Sequence, residues 1–221
     1  MNALDQALQA ACPTVMVPRY EELALLTDDS HRFLIAGDGL HVEINRPWIQ
    51  AILKVTDSPI PLPYGRVPPR FNINLHRRAL VGGLLHFIRR AREVSPLEHA
   101  AWLTFDPVEG AVGYIEPEII SRSESHIQYH RPDATPRCLP VVDMHSHGIL
   151  KAFFSGTDEV DDRTDDAKLA FVVGNLDKPH PSVVMRFVGF GLSLDLTEWV
   201  QGLTDNVGKE SNSTTGAEND H

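Results

Sequence analysis

Between Asp57 and Pro69 the chain places prolines at positions 59, 61, 63, 68 and 69. Each ring fixes φ near −65° (approximately) and removes a backbone donor, so this stretch excludes a helix or a central strand. It separates a first portion, residues 1–70, from a longer second one, and reads as a linker or as a loop wrapping the unit that follows. In the first portion an apolar run at 32–36, the turn Gly37-Asp38-Gly39 and an alternating run at 40–44 form a β-hairpin signal. Residues 1–70 are therefore expected to be a small, mostly β region.

Composition bounds the rest. With 42% hydrophobic and 23% charged residues in 221, the chain can bury a substantial core, which excludes disorder and fibrous repeats. Thirty acidic against 20 basic residues give a net charge of −10, and no stretch concentrates lysine and arginine, so direct nucleic-acid binding is disfavoured. Cys12 and Cys138 stand in no paired spacing. They read as free, buried thiols in a reducing compartment. The N-terminus has no basic segment ahead of an apolar one, unlike a signal peptide. The longest apolar stretch, 79–88, is interrupted by His86 and is far shorter than the ~20 residues a membrane span needs. The expectation is a cytoplasmic protein with no membrane contact.

The second portion opens with helical spacing over 77–92, with Leu80, Leu84, Ile88 and Ala91 on one stripe and the arginines largely off it. Ser95-Pro96 ends it, and 100–105 then reads as a buried strand. Further strands are expected at 110–115, 118–127, 137–144, 169–173 and 183–190, the last two as a hairpin. The tail, 204–221, is expected to be disordered. The acidic run 158–166 reads as a solvated loop or helix face.

The chemistry is concentrated in one segment, where His145-Ser146-His147 is followed after seven residues by Ser155-Gly156-Thr157-Asp158. On a strand, positions i and i+2 share a face, so His145 and His147 can offer two imidazoles to one ion while Ser146 faces away. A Ser-x-x-Asp at a helix start puts Asp158 within reach as a third ligand. Two histidines and one carboxylate leave a fourth tetrahedral position open, the pattern of a catalytic zinc site. HxH and SxxD are each common alone, the second as an ordinary capping box. Their conjunction at fixed spacing is specific.

This conjunction resembles the HxH-x7-SxxD signature of the JAMM (JAB/MPN+, Mov34-type) metalloproteases. The same family places a glutamate between its first helix and first core strand, and residues 95–103, Ser-Pro-Leu-Glu-His-Ala-Ala-Trp-Leu, resemble that site. The resemblance implies an α/β (α+β) fold over 71–203, with a mixed sheet flanked by helices. It implies one zinc ion held by His145, His147 and Asp158, with Glu98 as general base and Ser155 as oxyanion donor. The details at 153–155 and 169–175 resemble a prokaryotic branch of the family, the PRTRC system A proteins. That likeness implies hydrolysis of a peptide or isopeptide bond at the C-terminus of a ubiquitin-like protein, beside a ThiF/E1-like partner. The chain departs from the family pattern at Gly148, where many members have proline, and at Ala100, where many have glycine.

Alternatives follow from the same residues. Glu93 and Glu109 stand in for Glu98 if the register differs. Asp143-Met144-His145-Ser146-His147 also resembles the DxHxH opening of barrel hydrolases, but too few residues follow to complete a barrel of about 250. The HxHxDH pattern fails at Ile149 and Leu150. A non-catalytic MPN-type scaffold that binds ubiquitin-like or E1-like partners is the reading from another class.

Overall fold

A computed structural model describes residues 2–162 and 167–203. The tail expected to be disordered, 204–221, lies outside the described residues, as does the 163–166 part of the acidic run. The chain divides into two compact units, Met1–Leu75 and His76–His221.

The first unit carries a short helix, α1 (Ala3–Ala11), and a five-stranded sheet in the order β1-β2-β3-β4-β5. The strands are β1 (Thr14–Met16), β2 (Ser30–Ala36), β3 (Gly39–Arg46), β4 (Ile49–Asp57) and β5 (Arg70–Ile73). The hairpin read from Gly37-Asp38-Gly39 is the β2-β3 connection, with Ala36 paired to Gly39. The proline-rich stretch joins β4 to β5 inside this unit, because β5 pairs antiparallel with β4. Its prolines leave it without strand or helix, as their missing donors require. Val17, Leu34, Ala36, Ile52 and Val67 form the unit's buried apolar cluster. The helix α1 was not expected in a mostly β region, and it buries none of its residues.

The second unit is built on a six-stranded mixed sheet in the order β13-β12-β11-β10-β6-β7. Its strands are β6 (Ala100–Asp106), β7 (Ala111–Ile115), β10 (Leu139–Ser146), β11 (Lys168–Gly174), β12 (Ser182–Gly189) and β13 (Leu192–Asp195). Only β10 and β11 run parallel; every other neighbouring pair is antiparallel. The helix α2 (Arg77–Val94) packs against β6 and β7 and buries Leu80, Val81, Leu84, Phe87, Ile88 and Ala91. A Cβ on Gly83 would stand 2.6 Å from the Leu103 side chain, so the glycine permits the close approach of helix to strand. This is the expected α+β arrangement of a mixed sheet flanked by helices.

Several elements differ from the sequence reading. The strand expected at 118–127 is a separate two-stranded hairpin, β8 (Ile119–Arg122) and β9 (Ile127–Tyr129), because the Ser-Glu-Ser segment turns, with Ser123 N–H donating to His126 O at 2.7 Å. Strand β13 and the helical stretch 197–203 had no counterpart in the reading. The cysteines are free but only half-buried, because Cys12 caps the exposed α1 and Cys138 lies in a turn. Among the described residues no helix is long and apolar enough to cross a membrane.

Leu84 is fully buried where α2 meets the sheet. Replacing it with alanine should destabilise this unit by about 2–5 kcal/mol in denaturant unfolding.

Candidate metal centre

The centre is assembled at the end of β10. Along this strand Val142, Met144 and Ser146 are fully buried, whereas Asp143 and His145 occupy the alternate face that opens on a cleft. His147 continues that alternation just past the strand and is largely buried. Its N–H donates to Val173 O at 2.8 Å, which fixes it to β11. The intervening Ser146 has its own task on the buried face. Its N–H donates to His99 O at 2.9 Å and its Oγ accepts from His99 N–H at 2.8 Å, locking the tip of β10 to the start of β6. Glu98 is the residue before that lock, and it lines the same cleft.

The third candidate ligand comes from α3 (Gly156–Asp162), with Ser155 at its N-cap. Ser155 N–H donates to Asp158 Oδ2 at 2.6 Å, and Asp158 N–H donates to Ser155 Oγ at 3.3 Å, a reciprocal capping box. The box holds one carboxylate oxygen and leaves the other, Oδ1, 3.5 Å from His145 Nε2. Because Ser155 Oγ accepts in this arrangement, its own proton remains available for donation.

His145 Nε2 and His147 Nε2 are 3.2 Å apart, and one ligand atom from each of His145, His147 and Asp158 lies within 4.8 Å of the others. Ligand atoms ~2.0–2.1 Å from a tetrahedral zinc are about 3.3 Å from one another. The separations at His145 therefore match a single zinc-sized ion, and the donor set of two imidazoles and one carboxylate suits zinc. Burial, and then His145, lower the pKa of His147, which favours the neutral imidazole that can ligate. Phe153 packs edge-on against the His147 ring at 4.5 Å and restricts its rotation.

Glu98 is 5% exposed, and its pKa is pushed up to about 7, first by burial and then by the Asp158 carboxylate. A carboxylate poised near neutrality can accept and return a proton. The segment carrying it abuts the histidines through Gly148, whose φ is +54° and whose added Cβ would stand 2.5 Å from Pro96 O. No side chain, a proline ring included, would fit there.

The cleft is about 700 Å³, and it brings together all five residues singled out in the sequence: Glu98, His145, His147, Ser155 and Asp158. The substitutes Glu93 and Glu109 are elsewhere: Glu93 pairs with Arg90 and Glu109 with Arg137. Sequence reading missed the far wall, formed by Trp102, Tyr129, Arg131, Asp143 and Lys168, with His126 at its edge. No spacing signal marks these residues, since β6, the β8-β9 hairpin, β10 and β11 each contribute to them. The acidic run is also not simply solvated. Asp162 is buried against Lys168 and Arg186, and Glu159 pairs with Arg186.

Comparison with known proteins agrees with this architecture. Residues 82–188 match the family described as prokaryotic homologs of the JAB domain. Residues 2–74 match a domain of unknown function, DUF2016. No curated protein matches the chain. The solution structure of protein DSY2949 from Desulfitobacterium hafniense is similar over 52% of this chain and 85% of its own, at 15% identity and a TM-score of 0.37. The match to the prokaryotic homologs of the JAB domain spans 82–188 and so includes the HxH, the SxxD and the buried glutamate.

Proposed function

We propose that this chain is a zinc-dependent peptidase or isopeptidase of the JAMM type. The observation that carries the reading is the meeting of His145, His147 and Asp158 at ligand-like separations, in one cleft with the buried Glu98. His145, His147 and Asp158 would hold the ion, and their neutral-imidazole and carboxylate donors leave it a net positive charge. Zinc in such a site supplies a Lewis acid for the scissile carbonyl and acidifies a water molecule.

The chain's own groups account for the remaining steps. Glu98 Oε takes a proton from the attacking water and passes it to the leaving amine, and its raised pKa suits both transfers. Ser155 Oγ donates its free proton to the developing oxyanion. The capping box fixes that hydroxyl and the Asp158 carboxylate together, so donor and ligand share one geometry.

For the substrate we assign a peptide or isopeptide bond at the C-terminus of a ubiquitin-like protein, with a ThiF/E1-like companion in a PRTRC-type system. The support is the resemblance at 153–155 and 169–175 together with a cleft roomy enough for an extended chain.

Three outcomes test the reading. Protein purified without chelator should carry about one zinc per chain by elemental analysis, and His147→Ala should lose both the metal and cleavage of a ubiquitin-like fusion. Glu98→Gln should keep the metal and lose at least about 10²-fold in turnover; normal cleavage by this variant would remove Glu98 from the mechanism. The third outcome concerns pH in the metal-free protein. Glu98 has a folded pKa of about 7 against an ordinary 4.5, so the fold binds its proton more tightly than the unfolded chain does. Its contribution to stability is fully present below pH 4.5 and is lost as pH rises through 7. Glu98→Gln should therefore raise the thermal midpoint more at pH 8 than at pH 5.

A further inference from the structure

We propose that Lys168 is a positioning residue for the metal centre, setting the separation of its histidine and carboxylate ligands by bridging the two elements that carry them. The inference rests on the zinc reading above and assigns a function to a buried charge network outside the ligand set.

On β10, Asp143 stands two residues before His145 and on the same face of the strand. On α3, Asp162 stands four residues after Asp158, one helical turn further along the same side. Each ligand-bearing element thus presents a second carboxylate one structural period from its ligand. Lys168, the first residue of β11, joins these two carboxylates, with Nζ 2.9 Å from Asp143 Oδ2 and 2.9 Å from Asp162 Oδ1. The ammonium is almost fully enclosed, and so is the Asp162 carboxylate.

The surrounding groups complete the clamp. Tyr129 Oη donates to Asp143 Oδ1 at 2.6 Å, which orients that carboxylate from the β8-β9 hairpin. Arg186 on β12 donates through Nε to Asp162 Oδ2 at 3.0 Å and also pairs with Glu159 on the same helix. Arg186 therefore fastens α3 to the sheet, whereas Lys168 is the group that touches both α3 and β10. Without its charge, Asp143 and Asp162 would face one another across a buried gap, and α3 would be driven away from the strand that holds the histidines.

The sign of the effect separates positioning from simple electrostatics. Removing a cation near a metal site should tighten zinc binding by Coulomb's law, whereas loss of a positioning group should weaken it. The test compares the full chain with Lys168→Met, with the double variant Lys168→Met/Asp143→Asn and with Leu84→Ala. The double variant leaves the net charge unchanged and relieves the uncompensated carboxylate. Zinc affinity is measured by chelator competition, and the visible absorption of the Co²⁺-loaded protein reports ligand geometry. Lys168→Met and the double variant should each bind zinc about tenfold or more weakly and shift the Co²⁺ bands. Leu84→Ala, destabilised through the core alone, should keep wild-type affinity and spectrum. Should Lys168→Met fail to fold, the double variant decides the matter alone. A folded double variant with wild-type affinity and Co²⁺ spectrum overturns the role of Lys168 and leaves the zinc reading standing. Wild-type protein that takes up no zinc overturns that reading and this inference with it.

Discussion

Two hydrogen bonds between Ser146 and His99 are the constraint on which the centre depends. They close the antiparallel register of β10 on β6, in which His145 is paired with Ala100. A slip of one residue would turn both histidines into the core and Met144 toward the cleft, since side chains alternate along a strand. The same lock decides where Glu98 lies, because that residue directly precedes the bonded His99. The middle residue of HxH is thus no spacer. Its buried hydroxyl accepts from the His99 N–H just ahead of β6, and the placement of Glu98 against the histidines follows from it.

The electrostatics of the unit are organised in two layers around this register. Facing the cleft, burial and then the Asp158 carboxylate raise the cost of ionising Glu98, an arrangement that a dication would relieve. Beside it, Asp143, Asp162, Lys168 and Arg186 are paired with one another, with Tyr129 donating to Asp143 and Glu159 pairing with Arg186. In the second group the carboxylates of Asp143 and Asp162 are each paired with a lysine or an arginine. Such a distribution of charge is compatible with an ion at the His145, His147 and Asp158 cluster.

The elements legible in the sequence were those specified by local periodicity. The stripe of Leu80, Leu84, Ile88 and Ala91 marked α2, and the i, i+2 spacing of His145 and His147 marked the cleft-facing side at the end of β10. The β2-β3 hairpin was equally visible, because Gly37-Asp38 makes a two-residue turn. What was hidden needed partners distant in sequence. Strand β5 lies beyond five prolines and owes its place to β4. Asp162 sits in a run of acids that composition assigns to solvent, and only Lys168 and Arg186 bring it inside. The helix α1 escaped notice because it has no buried face whose spacing could reveal it. The spacing of HxH and SxxD pointed to the cluster of His145, His147 and Asp158, but it carried no sign of Tyr129 or Lys168, which reach the cleft from other elements.

The contact of Gly148 with the Pro96 carbonyl has a consequence for how the centre comes into being. A backbone oxygen occupies the volume that any side chain at position 148 would need, so the segment that carries Glu98 and the segment that carries the histidines interlock as two surfaces without clearance. Neither can slide past the other while β10 remains paired to β6. The entropy of bringing Glu98 and the histidines together is therefore settled when the chain folds, and whatever enters the cleft meets groups already in place.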